Sequence, residues 1–299
     1  MFAGFRLNFG KNKITEYIDF SIYRNDGVRH LNEQKASVET ELERFIINEA
    51  DGQTIDGTLL ADSWFPQVQA DVFLSHSHQD LELVQGIAGW LYKNFELRCF
   101  IDSNVWGYSD RLLEILNDKY SNKRPDGSGG HLYSHEKCIA ASKHVDIMLS
   151  IALQRMIDQT EAIFLISTDN AIRRYGSGTN NSTYSPWIYN EIVCSDIVRK
   201  KPLSSYRPEF WSIGKNLNEQ FALEHRADAG DTLRVAYDVS TEHLVELTSV
   251  DLLFWHTQQI HKPCIYPLDV LYINKLGGGM RDLSSLYSNP NYAQLLYRR

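Results

Sequence analysis

Residues 70–75 read Ala70-Asp71-Val72-Phe73-Leu74-Ser75, and the polar run Ser75-His76-Ser77-His78-Gln79-Asp80 follows at once. The first stretch is short and nearly continuously apolar, the mark of a strand buried on both faces, as in a parallel sheet. The second is a loop. Leu81–Phe95 then puts Leu83, Val84, Ile87 and Leu91 on one side of a helix. Leu97-Arg98-Cys99-Phe100-Ile101-Asp102 is a second strand. Residues 71–102 therefore form one strand–helix–strand unit, which implies a right-handed crossover and a parallel sheet. Ligands of such sheets lie beyond the carboxyl ends of the strands. That rule singles out the loops 75–80 and 102–108.

Working downstream, 110–120 is predicted helical. Residues 121–136, rich in Gly, Ser, Pro and charge, are predicted to be a mobile surface loop. Residues 142–157 form a helix with Val145, Met148, Leu149, Ala152, Leu153 and Met156 inward. Residues 161–167 (Glu161-Ala162-Ile163-Phe164-Leu165-Ile166-Ser167) are a third buried strand, and 169–183 is a polar loop. The alternation of strand and helix predicts an α/β, doubly wound, flavodoxin-like parallel sheet. Beyond Lys201 the pattern weakens. Residues 233–238, 251–255 and 265–273 read as further strands, Gly277-Gly278-Gly279 as a flexible break, and 282–296 as a short helix or tail.

Upstream, 16–23 alternates in part, as a half-buried strand does. Residues 38–47 look helical, and Asp51-Gly52 is a turn. Residues 1–69 are expected to cover an edge or one end of a core spanning 70–200, with 201–299 completing the domain and extending it.

The stretch Tyr184-Ser185-Pro186-Trp187-Ile188-Tyr189-Asn190-Glu191-Ile192-Val193-Cys194 is a helix start. Ser185 is a good N-cap, and Pro186 suits the first helical position, where its missing N–H costs nothing. Trp187 and Glu191, four apart, lie one above the other on one face. Ile188 and Ile192 form the adjacent row and face a core. An acid beneath an indole sits in a partly apolar setting that raises its pKa.

Composition bounds the function. The 299 residues are 43% hydrophobic and 23% charged, ordinary for a globular chain, with a formal net charge of −8. No long basic run offers a footprint for nucleic acid, and an acidic chain is repelled by anionic lipid. Cys99, Cys138, Cys194 and Cys264 are widely spaced, which argues against a disulfide framework or metal cluster and fits a reducing compartment. Met1-Phe2-Ala3-Gly4-Phe5-Arg6 has no apolar signal core, and no run approaches the ~20 apolar residues of a membrane span, so a cytoplasmic protein is expected.

Four segments together resemble the TIR (Toll/interleukin-1 receptor) domain: Asp71-Val72-Phe73-Leu74-Ser75-His76-Ser77, Phe100-Ile101-Asp102, Ile163-Phe164-Leu165-Ile166-Ser167, and Ser185-Pro186-Trp187 with Glu191. The resemblance covers roughly 70–200. Many bacterial members cleave NAD+ at the nicotinamide–ribose bond, and some cyclise or transfer the ADP-ribose to make a signal in anti-phage defence. The resemblance implies that Glu191 is the catalytic carboxylate and that NAD+ is a substrate, with no further cofactor. It implies that Ser75, His76, Asp102, Trp106 and Trp187 bind that substrate, with Trp106 stacking on a base or packing between protomers. It also implies self-association through TIR domains and a downstream effector partner.

The chain departs from the family in three places. His76 stands where an aromatic residue is usual, the segment 117–150 is long, and no fourth strand is evident after Lys200-Lys201-Pro202. A non-catalytic TIR scaffold and a nucleoside-processing enzyme of similar shape stay open. The pair His76 and His78 with Asp80 lacks a third metal ligand. Ser75-His76 lacks the nucleophile elbow of a hydrolase, and Gly277–Gly279 lacks the context of a phosphate loop.

Overall fold

The computed structural model describes residues 1–9, 17–34, 42–46, 54–105, 109–174, 181–207, 235–261 and 266–276. In chain order these hold β1 (Ala3–Asn8), α1 (Arg24–Glu33), α2 (Gly57–Trp64), β2 (Val72–Ser75), α3 (Leu81–Phe95) and β3 (Cys99–Phe100). There follow α4 (Asp102–Val105), α5 (Ser109–Tyr120), β4 (Arg124–Pro125), β5 (His131–Leu132), α6 (His135–Gln159) and β6 (Ala162–Ser167). The last are β7 (Arg173–Arg174), β8 (Asn181–Thr183), α7 (Pro186–Ile197), β9 (Tyr237–Val239), β10 (Val245–Leu247), α8 (Ser249–His261) and α9 (Pro267–Leu276). The protein is α/β with a central sheet of five parallel strands, ordered β10-β1-β6-β2-β3.

The predicted unit 71–102 is present as β2, α3 and β3, paired in parallel. Strand β2 is buried at all four positions and β6 at all six. Side chains alternate between two apolar layers. Val72, Leu74, Phe164 and Ile166 face one layer with α3 and α8, while Phe73, Ile163 and Leu165 face the other with α6 and α7.

The N-terminal segment corrects the sequence reading. Residues 1–69 read as cover for an edge or one end of the core, yet β1 lies inside the sheet, paired along its whole length with β6 (Ala3↔Ala162 to Asn8↔Ser167) and on its other side with β10. The place that a strand following α7 would occupy, next to β6, is thus filled from the other end of the chain. Residues 20–23 form a 3-10 turn rather than part of a strand, and so do residues 42–45 within the stretch read as helical. Ser121 is buried, while residues 122–133 are mostly exposed, as expected, but contain the hairpin β4–β5. There Gly127 and Gly129 take positive φ, and Asp126 accepts hydrogen bonds from the N–H groups of Ser128 and Gly130.

Downstream, 251–255 belongs to helix α8, and of 265–273 the residues 267–273 belong to helix α9. Of 233–238, the described part enters β9, which pairs antiparallel with β8 in a separate three-stranded sheet and not with the central one. The polar loop 169–183 carries β7 and β8 of that same sheet. Asp51-Gly52, Gly277–Gly279 and 282–296 lie outside the described residues.

Helices α1 and α3 touch backbone to backbone. A Cβ on Gly89 would stand 2.0 Å from the Tyr23 carbonyl oxygen and 2.6 Å from the Gly27 nitrogen, so even one methyl requires the helices to part. Over-packing of a tight contact costs roughly 1–3 kcal/mol. Gly89→Ala is therefore expected to destabilise the fold by about that much. A urea titration would show a lower midpoint at unchanged slope; an unmoved midpoint would mean that the helices separate freely.

Candidate functional site at the strand ends

The chain runs from β2 to β3 on one side and then returns to β6 on the other, so the strand order reverses between β2 and β6 while all strands stay parallel. A crevice outside the carboxyl ends of two such strands is where an open α/β sheet binds ligands. Ser75 ends β2, Ser167 ends β6, and α7 brings Glu191 to the same place.

The sequence dictates how α7 arrives there. The Ser185 hydroxyl accepts from the Ile188 N–H at 3.2 Å, and Pro186 occupies the first turn, as the N-cap reading requires. Ile188 and Ile192 are buried in the apolar layer under the helix. Fixing that row turns Glu191 inward, and the Ser75 hydroxyl donates to its Oε2 at 2.5 Å across 116 positions of sequence. Glu191 is 3% exposed. Burial pushes its carboxyl well above the usual carboxylate range, and the negative charge of Asp102 pushes the same way. The Ser75 hydroxyl opposes both by stabilising the ionised form.

His76 follows Ser75 at the end of β2 and is buried. Its Nδ1 lies 3.1 Å from the Leu74 carbonyl, which can only accept, so Nδ1 carries the proton. Its Nε2 is left to accept from the Ser103 hydroxyl at 3.3 Å. Burial pushes the imidazole pKa down, although Asp102, 4.0 Å away, pulls it up. A neutral ring in a fixed tautomer results.

Of the residues singled out in the sequence, Ser75, His76, Asp102 and Glu191 converge at one rim. Asp102 opens α4 and stays partly exposed. Trp187 is half-buried against the apolar layer on the α7 side. Trp106 lies outside the described residues.

Ser103, Thr168 and Asn170 were missed. Both oxygens of Asp80 are held, by the Thr168 hydroxyl at 2.5 Å and the Asn170 amide at 2.8 Å, which joins the loop after β2 to the loop after β6. A polar residue directly after each apolar run was the available signal. Among the described residues no group of three or more His, Cys, Asp or Glu side chains is arranged to hold a metal ion. His76 and His78 have ring centroids 6.2 Å apart. A cavity between α2 and α6, lined by Gly57, Phe65, Met148 and Ile151 among others, contains none of the rim residues. Among the described residues no helix is long and apolar enough to cross a membrane.

Comparison with family models, with curated proteins and with solved structures gives no match to this chain.

Proposed function

We propose that this chain is a TIR-type NAD+ glycohydrolase that cleaves the nicotinamide–ribose bond at the rim built by Ser75, His76, Asp102 and Glu191. The observation that carries the reading is the Glu191 carboxyl held by a strand-end hydroxyl at the point where the strand order reverses. The strand order supports the same reading. Taken from β3, it runs β3-β2-β6-β1-β10. Numbered along the chain that is 3-2-4-1-5, which is compatible with the 2-1-3-4-5 order of a flavodoxin-like sheet when the N-terminal strand fills the fourth place.

The chemistry follows from the residues. Loss of nicotinamide leaves an oxocarbenium-like ribose, positive near its anomeric carbon. Glu191 in its ionised form, fixed beside that carbon, stabilises the charge as it forms and can hold the ribose hydroxyls. Nicotinamide leaves as a neutral molecule, so no strong acid is needed. A ribose hydroxyl would take over the place of Ser75 on Oε2, and the neutral His76 offers no competing positive charge. The released ADP-ribosyl group goes to water, to its own adenine ring in a cyclic isomer, or to another acceptor as a conjugated signal. An effector partner in anti-phage defence would read such a signal.

A second reading is a non-catalytic TIR scaffold that assembles with other TIR domains. The observation that favours it is the 3% exposure of Glu191, with its carboxyl already satisfied inside the fold. Purified protein at high concentration, incubated with NAD+, separates the two. The enzyme reading expects NAD+ loss with stoichiometric nicotinamide release, and mass spectrometry then names the product. Assembly without any nicotinamide release favours the scaffold.

A further inference from the structure

Strand β1 carries Arg6 in an otherwise apolar run, Ala3-Gly4-Phe5-Arg6-Leu7. Phe5 and Leu7 pack in the layer with α3. Gly4, on the other face, would meet Leu244 and Ile163, which belong to the layer with α7. Arg6 is therefore on the α7 face, the face of Glu191. Its register is informative. Leu165 pairs with Arg6 on one side and with Ser75 on the other, so Ser75 and Arg6 stand in one row, separated by a single strand. Two strand spacings amount to about 10 Å.

The guanidinium reaches from that row toward the carboxyl end. It donates to the Ser167 hydroxyl at 3.1 Å, at the last residue of β6, and to the Thr241 hydroxyl at 3.1 Å. Both hydroxyls are buried. Each accepts from the guanidinium, and its own O–H remains to be given to another group. Glu246 of β10 stands directly opposite Arg6 in the sheet register and accepts from the Asn8 amide at 3.5 Å, so an acid borders the guanidinium itself. A guanidinium flanked by two hydroxyls is a donor set that fits phosphate oxygens. In a chain of net charge −8, an anionic substrate needs such a local cation.

The geometry points to Arg6, with Ser167 and Thr241, as the subsite that takes the pyrophosphate of a dinucleotide whose ribose lies at Glu191. The inference rests on the NAD+ reading above and deepens it. It makes the N-terminal strand the element that selects a dinucleotide over a nucleoside, because a nucleoside has nothing to place on Arg6.

The test compares wild type, Arg6→Gln and Arg6→Lys, with NAD+ as substrate and inorganic pyrophosphate as competitor. Arg6→Gln is expected to raise KM for NAD+ at least about tenfold while kcat stays within about twofold, the pattern of lost binding away from the reacting bond. Pyrophosphate is expected to compete with NAD+ in wild type and much less in Arg6→Gln. Arg6→Lys, which keeps the charge but loses the fork, should lie between. An unchanged KM, or a fall in kcat alone, overturns the subsite. If Arg6→Gln does not fold, Ser167→Ala is read in its place, with the same split expected. If wild type cleaves nothing, the activity reading has failed; the subsite is then judged by binding alone. ADP should raise the wild-type Tm and leave that of Arg6→Lys lower by a clear margin, and equal shifts overturn it.

Discussion

Glu191→Gln is expected to lower NAD+ cleavage by at least about 10²–10³-fold, the loss typical when one preorganised electrostatic group is removed from a reacting centre, and to raise Tm at pH 8 in the same experiment. The two effects have one cause. Glu191 is buried, and burial together with Asp102 raises its pKa well above the usual range. A carboxyl with a raised folded-state pKa takes up its proton more readily folded than unfolded. Its contribution to stability is fully present below the unfolded value of about 4.3. It is lost as pH rises through the folded-state value. Glutamine is the neutral isostere and can still accept from Ser75, so it escapes that loss. The wild-type Tm should therefore fall relative to the variant between pH 4 and pH 8, and the two should converge near pH 4. A thermal series over that range, run beside a nicotinamide-release assay, checks both halves. Retained turnover would remove Glu191 from the mechanism. Retained turnover with a parallel pH profile would also show that its carboxyl is not held at a high energy in the fold.

The parts of this molecule that could be read from sequence are those whose signal is local. Strands β2 and β6 are unbroken apolar runs, helix α3 has the predicted bounds, and α7 begins at a Ser-Pro cap. Strand β1 escaped because Gly4 and Arg6 interrupt its apolar pattern, and because parallel pairing with β6 lies some 160 positions away. Strand β10 is three residues long, too short for any periodicity.

Helix α8 shows a different failure. Asp251-Leu252-Leu253-Phe254-Trp255 looks like a strand as a run, yet its buried residues Leu252, Trp255 and Gln259 have helical spacing. A capping box announces it: the Thr248 N–H donates to Asp251 at 2.7 Å, and the Asp251 N–H donates back to Thr248 Oγ1 at 3.3 Å. The spacing Thr248-Ser249-Val250-Asp251 was visible and outweighs a five-residue apolar run. At the site, the residue types were legible, and so was the rim they would share. The contact of Ser75 with Glu191 was not, since only the reversal of strand order between β2 and β6 brings them together.

At the amino ends of the strands, opposite the site, removal of one cation is expected to be the most destabilising single change. Arg207 is 1% exposed and forks onto Glu161, with Nη1 2.8 Å from Oε2 and Nη2 2.7 Å from Oε1, while Nη2 also reaches Asp269 at 2.5 Å. The Tyr272 hydroxyl donates to the same Glu161, and the Tyr266 ring lies 4.1 Å from the guanidinium carbon. These contacts tie α9 and the turn 203–206 to the start of β6. Burial outweighs the pull of Arg207 on Asp269, whose carboxyl is pushed up to about 6. Arg207→Ala leaves two buried acids with no counter-charge, a change that costs about 3–5 kcal/mol. For a domain of this size that lowers Tm by roughly 10 °C. The sign of its pH dependence is fixed as well. Without the guanidinium Asp269, already pushed up, holds its proton more tightly, so the deficit should shrink at pH 5 and be largest at pH 8. Replacing all three members, as Arg207→Met with Glu161→Gln and Asp269→Asn, should recover most of the loss, because the pair is then absent rather than broken. Tm measured at both pH values for the single and triple variants decides the matter. A single variant that melts within 2 °C of wild type at pH 8 would show that the clamp carries no weight in the fold.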